Sequence, residues 1–259
     1  MKKPIPGIQL YSLMRHIQTP EDYDATLAKL AAMGVKDIQI SGIGDFSVEI
    51  QKKTADKYGM AVCVTHQGLE RFLGEPDTLI EEHRLLECDA IGLGCPPEEY
   101  RAPFETAEKL VHDLNDVGAK LNAAGMSFHY HNHNFEFAPI GDSGVCLMDL
   151  LLQAENINFV PDVAWMHYAG VDPVRMLRKM KGRVKVIHFK DYITDENGNI
   201  HFVSLGQGKV DLKECYKAAC ELEIPYIVYE QDSGWVNDDA FLAAKQSWDY
   251  MNSLERSAI

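Results

Sequence analysis

Short apolar segments alternate with longer segments of helical spacing along the whole chain. The apolar segments are rich in β-branched residues and have the length of buried strands. They cover residues 8–12, 37–41, 61–66, 90–94, 127–133, 159–163, 184–190 and 226–230. The pattern predicts eight strands, each followed by a helix.

The segments between the predicted strands carry helix start and stop signals. Thr19-Pro20-Glu21 places a capping hydroxyl before a proline at the first helical position, and Gly34 follows that helix as a stop. Other helices are predicted to start at Pro76-Asp77, Pro103-Phe104, Asp172-Pro173, Asp211-Leu212 and Asn237-Asp238. Because helices connect successive strands throughout, the strands are expected to be parallel.

Eight such units in 259 residues predict a closed (β/α)8 TIM barrel, with residues 1–259 as a single domain. The alternative is an open doubly wound sheet, which usually has a GxGxxG turn after its first strand. Here that turn reads Tyr11-Ser12-Leu13-Met14-Arg15, so the barrel is favoured. A barrel predicts that functional side chains lie at the C-terminal ends of several strands.

The fifth to eighth predicted strands each end in a histidine or a carboxylate. These residues are His131, Asp162, His188 and Glu230. One such residue alone is more often a hydrogen-bonded polar group or a helix cap, but four on adjacent strands fit the N and O ligands of a divalent ion. The sequence therefore predicts a metal site, with Glu136 as the alternative to His131 on the fifth strand.

Charge and composition narrow the classes of partner. The chain has 39 acidic and 25 basic residues, a net charge of −14, and no run of three Lys/Arg. This charge repels phosphate backbones and anionic membranes, so neither nucleic acid nor membrane is expected as a partner. The N-terminal segment is too polar for a secretory signal, and the six cysteines contain no CxxC pair, so we expect reduced thiols and a cytoplasmic location.

Six segments in a specific order carry a resemblance to a known family. They are residues 7–13, residues 130–137, Asp162 with Trp165 and residues 169–173, His188 with Lys190-Asp191, Gly206-Gln207-Gly208 with Asp211, and Glu230-Gln231-Asp232. Together they resemble the xylose isomerase-like TIM-barrel superfamily, in particular its sugar phosphate isomerase/epimerase group. The resemblance implies that the four strand-end residues bind one divalent ion, with Mn²⁺ expected and Mg²⁺, Co²⁺ or Zn²⁺ as alternatives.

One position departs from the pattern of that family. Many of its epimerases have a metal-bound glutamate on the fifth strand, which acts opposite the glutamate of the eighth strand, whereas this chain has His131. A metal-bound imidazole cannot serve as a base. If the family mechanism holds, Glu136 or Lys190 is expected to take that role.

The resemblance implies a metal-dependent isomerase or epimerase that abstracts a proton next to the carbonyl of a sugar, keto-sugar or inosose and forms an enediolate. The expected catalytic residues are Glu230, Glu136 and Lys190. The residues expected to contact the carbohydrate are His66, Trp165 and His133.

Three alternative functions remain open from the sequence. They are a dehydratase or eliminating lyase acting on a keto-sugar or keto-glycoside, an AP-endonuclease-like enzyme, which the negative charge disfavours, and a non-catalytic sugar-binding barrel. The sequence also leaves open whether the substrate is phosphorylated and whether the protein forms a homo-oligomer.

Overall fold

The computed structural model describes residues 2–257, so residues 1, 258 and 259 of the predicted domain lie outside the described part. The strands are β1 (Ile5–Gln9), β2 (Asp37–Ile40), β3 (Ala61–Gln67), β4 (Ala90–Leu93), β5 (Ser127–His131), β6 (Ile157–Val160), β7 (Val186–Phe189), β8 (Asp191–Thr194), β9 (Ile200–Val203) and β10 (Tyr226–Tyr229). The α-helices are α1 (Pro20–Ala32), α2 (Val48–Lys57), α3 (Leu69–Gly74), α4 (Pro76–Leu86), α5 (Phe104–Ala123), α6 (Leu147–Gln153), α7 (Val163–Tyr168), α8 (Pro173–Lys179), α9 (Leu212–Glu221) and α10 (Ala240–Ser257).

Eight of the strands form one sheet in the order β6-β5-β4-β3-β2-β1-β10-β7, with parallel pairing throughout. Two isolated parallel bridges join the β6 edge to the β7 edge, and we call this junction the β6–β7 seam. Its backbone hydrogen bonds run from Phe159 N to the Arg183 carbonyl (2.8 Å) and from His188 N to the Pro161 carbonyl (2.9 Å). The sheet thus forms a nearly closed barrel, and the predicted (β/α)8 fold is confirmed.

The hydrophobic pattern places the barrel strands in the core, and local signals begin and end the helices. β2, β4 and β7 are buried at every position, as expected for parallel strands covered on both faces. The Thr19 side chain accepts a hydrogen bond from Asp22 N (3.1 Å) at the start of α1, and Gly34 adopts a positive φ of 90° after its end. Asp172 and Asp211 cap α8 and α9 in the same way. These helix starts agree with the sequence prediction.

The elements differ from the simple alternation at four places. Two βα connections contain a pair of helices instead of one, α3 with α4 and α7 with α8. β8 and β9 form an antiparallel hairpin after β7 that was not predicted. The first strand lies at Ile5–Gln9 and not at 8–12, because residues 10–16 turn into a 3-10 helix. Within residues 2–257, no helix has both the length and the apolar character needed to cross a membrane.

Candidate metal centre

The C-terminal ends of β5, β6, β7 and β10 bring four buried side chains together in the barrel mouth. They are His131, Asp162, His188 and Glu230, and each offers one ligand atom within 4.8 Å of the others. Each side chain lies in a different barrel strand or within two residues of its end, so the scaffold fixes their spacing. The structure therefore groups the four residues that the sequence predicted as ligands, and we call them the four-residue cluster.

The donor atoms of the cluster fit a divalent cation. His131 Nε2 is buried and has no hydrogen-bond partner, and the buried Asp162 Oδ2 has no hydrogen bond beside its 3.3 Å ion pair with Lys190 Nζ. His131 Nε2 lies 3.6 Å from Asp162 Oδ2 and 3.6 Å from Glu230 Oε2. A buried polar atom without a partner costs about 1–3 kcal/mol, and a cation bound among these atoms would relieve that cost. Two imidazole nitrogens and two carboxylates are donors that Zn²⁺, Mn²⁺ and related ions accept.

Two of the cluster residues are oriented by backbone groups. His131 Nδ1 lies 3.0 Å from the Gly94 carbonyl, to which it can only donate, so Nε2 is the ring nitrogen directed at the cluster. Asp162 Oδ1 accepts the N–H groups of Ala164 and Trp165, both at 2.9 Å, as the cap of α7. Because Oδ1 is engaged there, Oδ2 is the oxygen directed at the cluster.

His188 is oriented by a residue that the sequence analysis missed. Its Nε2 lies 2.7 Å from Gln39 Oε1 of β2, and its Nδ1 lies 2.9 Å from Glu230 Oε2. Since the amide oxygen only accepts, Nε2 carries a proton, and Nδ1 is the ring nitrogen directed at the cluster. A single glutamine inside a strand has no distinctive spacing, so no sequence signal identified Gln39.

Lys190 brings a buried positive charge next to these carboxylates. Its Nζ lies 2.9 Å from Glu230 Oε2, 3.3 Å from Asp162 Oδ2, and 3.0 and 2.9 Å from the two oxygens of Asp232. Burial alone would lower the pKa of Lys190, but the charges of Asp232, Glu230 and Asp162 outweigh it and raise that pKa. Burial likewise opposes ionisation of Glu230, yet Lys190 and His188 hold the Glu230 pKa well below its usual range. Lys190 is therefore a charged hydrogen-bond donor.

A cavity of about 370 Å³ lies over the cluster. His66, His133 and Trp165, which the sequence predicted as substrate contacts, line it together with Lys190 and Asp232. Burial and the neighbouring His131 and His188 hold the pKa of His66 well below its usual value, so its ring is neutral. The cavity thus offers the neutral imidazole of His66 beside the charged groups of Lys190 and Asp232.

Glu136 is not brought to this cavity. Its Oε1 accepts the hydroxyl of Tyr130 (3.0 Å), and its Oε2 accepts the backbone N–H of His133 (2.7 Å). Both oxygens therefore stabilise the turn that follows β5. His131 occupies the cluster position on β5, and the geometry does not favour the catalytic or ligand role predicted for Glu136.

The backbone amides around the Gly206-Gln207-Gly208 segment, which follows β9, are hydrogen-bonded within the protein. The carboxylate of Asp191 accepts the N–H groups of Tyr192, Gly206, Gly208 and Val210 at 2.8–3.1 Å. A carboxylate thus already occupies the place where these amides could bind a phosphate. No arginine is found among the described residues that line the cavity, and the charge of Lys190 is matched by carboxylates.

The family model for the xylose isomerase-like TIM barrel matches residues 27–251 of the chain. The comparison of this chain with curated proteins found no match.

Solved structures with the same fold cover nearly the whole chain. A sugar phosphate isomerase/epimerase from Parabacteroides distasonis ATCC 8503 has a TM-score of 0.78 and 22% identity over 97% of this chain and 98% of its own. A xylose isomerase-like TIM barrel protein from Mycobacterium smegmatis in complex with magnesium has a TM-score of 0.74 and 14% identity, covering 100% and 99%. The probable 3-DHS dehydratase AsbF from Bacillus anthracis has a TM-score of 0.72 and 12% identity, covering 97% and 99%. At these identities the similarity establishes the fold.

Proposed function

The chain belongs to the xylose isomerase-like TIM-barrel family, and we propose that it is a divalent-metal-dependent isomerase or epimerase of a sugar, keto-sugar or inosose. The observation that carries this proposal is the four-residue cluster at the base of a polar cavity. A structural neighbour described as a sugar phosphate isomerase/epimerase supports the reaction class. We further propose that residues 1–259 act as one domain.

We propose that His131, Asp162, His188 and Glu230 hold one divalent ion, with Mn²⁺ as the first candidate and Mg²⁺, Co²⁺ or Zn²⁺ as alternatives. When bound, such an ion polarises a carbonyl group and thereby acidifies the neighbouring C–H. The two carboxylates of the set balance its double positive charge.

In the proposed reaction, Glu230 removes the proton next to the substrate carbonyl. Lys190, held in its charged form, donates a hydrogen bond to the substrate oxygen that gains negative charge in the enediolate. His66 and His133 hydrogen-bond the sugar hydroxyls, and Trp165 packs against the sugar. Since Glu136 lies away from the cavity, no carboxylate on β5 opposes Glu230, and this favours proton transfer on a single face, which is isomerisation.

The same geometry supports elimination as a second candidate function. Glu230 would take the proton, the C–O bond at the next carbon would break with its electron pair on oxygen, and Lys190 would protonate the departing oxygen. The charged Lys190 beside Glu230 is the observation that favours this option. A structural neighbour described as a probable dehydratase shares the fold.

The test is hydrogen exchange in D₂O followed by NMR. Mn²⁺-loaded protein is incubated with a panel of keto-sugars and inososes, and deuterium is expected at the carbon next to the carbonyl. Glu230→Gln, with its metal content measured in parallel, is expected to abolish the exchange. A new sugar isomer indicates isomerisation and an unsaturated product indicates elimination, whereas no exchange with any member of the panel contradicts the proposal.

A further inference from the structure

A groove of about 850 Å³ lies beside the cavity. It lies between the loop that follows β2 and the helices α3 and α4, and it shares Ser41 and His66 with the cavity lining. The groove and the cavity therefore meet at these two side chains.

The loop that forms one wall of the groove is fixed by contacts with Gln18 on the side that faces away from the groove. Gln18 Nε2 donates to the carbonyls of Gly42 (2.9 Å) and Met14 (2.7 Å). A Cβ at Gly44 would lie 1.9 Å from the Gln18 carbonyl oxygen, so this glycine allows the loop to pack directly on residue 18. Because the loop is fixed on that side, the groove on its other side is open before any ligand binds, as is usual for small-molecule sites.

The opposite wall is built around Arg71 of α3. Its guanidinium donates to Gln67 Oε1 (2.8 Å), Glu82 Oε1 (2.9 Å) and Glu75 Oε1 (3.3 Å). These bonds connect β3, α3 and α4 into one rigid wall. They also match the charge of Arg71 with two carboxylates, so the wall offers no free cation to an anionic ligand.

The lining of the groove has the chemistry of a carbohydrate site. It combines hydroxyl and carboxylate acceptors with one aromatic ring. These side chains are Ser41, Asp45, Phe46, Ser47, Glu49 and Glu81. Carboxylates accept hydrogen bonds from sugar hydroxyls and repel phosphate, which selects for an uncharged ligand rich in hydroxyl groups.

We propose that the groove is a second carbohydrate subsite, which holds the further sugar unit of a glycoside whose keto-sugar unit lies over the cluster. The assignment of the reacting unit rests on the proposed function. The position of the groove directly beside the cavity, its pre-formed walls and its lining of carboxylates and two serine hydroxyls carry the inference. The substrate class that fits is an uncharged keto-disaccharide or similar keto-glycoside, and not a sugar phosphate.

The test compares ligands of different length on the Mn²⁺-loaded full chain. Calorimetric titration with a keto-hexose and with a keto-disaccharide that contains the same unit is expected to give at least about tenfold tighter binding of the disaccharide. Leu85 lies on α4, lines the groove and is 42% exposed, so Leu85→Arg fills the groove without disturbing the core. Leu73 of α3 is 41% exposed and is absent from the groove lining, so Leu73→Arg is the matched control.

We expect Leu85→Arg to remove the gain from the second sugar and to leave keto-hexose affinity unchanged, while Leu73→Arg changes neither. Equal affinity for the two sugars, an equal effect of the two variants, or tighter binding of a phosphorylated keto-hexose than of the disaccharide overturns the subsite. In those cases deuterium exchange into the keto-hexose would leave the proposed function intact. Absence of both sugar binding and exchange would contradict the proposed function, and the subsite with it.

Discussion

The two histidines of the cluster direct different ring nitrogens at it. The hydrogen-bond partner of the other nitrogen sets this orientation in each ring. His131 directs Nε2 inward because its Nδ1 faces the Gly94 carbonyl, whereas His188 directs Nδ1 inward because its Nε2 faces Gln39. A ring bonded on its outer nitrogen is fixed in both tautomer and orientation. The cluster is therefore pre-organised as a ligand set by residues that are not ligands themselves.

Removal of one cluster imidazole should weaken metal binding strongly. We expect His188→Ala to lose more than about 100-fold in Mn²⁺ affinity, since loss of a partner that merely orients a ligand already costs about 10–100-fold. Calorimetric titration and elemental analysis of the purified protein measure the effect. His129→Ala removes another buried histidine, one that bonds Ser127, and should keep full metal content. Full metal content in His188→Ala would refute the ligand set.

Gln39 should act on metal affinity through His188. Gln39→Leu removes the acceptor for Nε2–H, and we expect a loss of about 10–100-fold in Mn²⁺ affinity. Gln39→Glu keeps an acceptor oxygen and should restore part of it. The ¹⁵N chemical shifts of the His188 ring report its tautomer, which is expected to change in Gln39→Leu alone. Gln9→Leu is the matched control, since Gln9 is a buried glutamine whose Oε1 accepts Tyr11 N. Unchanged affinity and unchanged shifts in Gln39→Leu would argue against a positioning role.

At the scale of the elements, the sequence predicts what periodicity and caps encode. The alternation of apolar and helical segments is sufficient to predict the barrel fold. The capping residues Thr19, Asp172 and Asp211 predict three helix starts correctly. The β8–β9 hairpin was missed although Asn197-Gly198 is a turn signal, because its short strands lie inside a βα connection. Contacts between distant strands, such as Gln39 with His188, depend on the closed barrel and leave no local pattern.

The missed hairpin completes one wall of the site. Phe202 of β9 packs edge-on against Trp165 with ring centroids 5.4 Å apart. The Lys190 ammonium lies 4.9 Å from the centre of the same Phe202 ring. The hairpin thus covers the side of Lys190 that does not face carboxylates, which helps to exclude water from the charged cluster.

His83 couples the packing of α4 on β3 to pH. Its Nδ1 lies 2.7 Å from the Leu79 carbonyl and its Nε2 lies 2.7 Å from Thr65 Oγ1, and burial lowers its pKa from 6.5 to about 4. The folded state favours the neutral His83 ring. The contribution of this ring to the free energy of unfolding is therefore complete above pH 6.5 and is lost as the pH falls from 6.5 toward 4. We expect His83 to account for about 2 kcal/mol of the stability lost between pH 7 and pH 5.

Urea unfolding in the presence of a chelator, at pH 7 and at pH 5, measures this contribution. His83→Gln should reduce the difference in unfolding free energy between the two pH values. His112→Gln, at a histidine whose side chain is 73% exposed, should leave the difference unchanged. An undiminished pH dependence in His83→Gln would show that other groups govern it.

At the scale of the whole molecule, the four-residue cluster spans the weakest junction of the barrel. The β6–β7 seam is closed by isolated bridges, while every other pair of neighbouring barrel strands is joined by a ladder of at least two consecutive residue pairs. Asp162 and His188 form one of those bridges and also belong to the cluster. A bound ion would therefore connect the two edges of the sheet as well as serve the chemistry.

Metal binding should consequently stabilise the barrel and protect its seam. At free Mn²⁺ about 100 times the dissociation constant, linkage predicts about 2.7 kcal/mol of added stability, which for a chain of this size raises Tm by about 5–10 °C. Hydrogen exchange should slow most at the amides of Phe159 and His188, which form the seam bonds. Chelated wild-type protein and His188→Ala with added Mn²⁺ are the controls, and neither should show the shift. A rise in Tm without slower hydrogen exchange at these two amides would mean that the ion binds away from the seam. An ion held by both Asp162 and His188 would have to make opening of the seam less frequent.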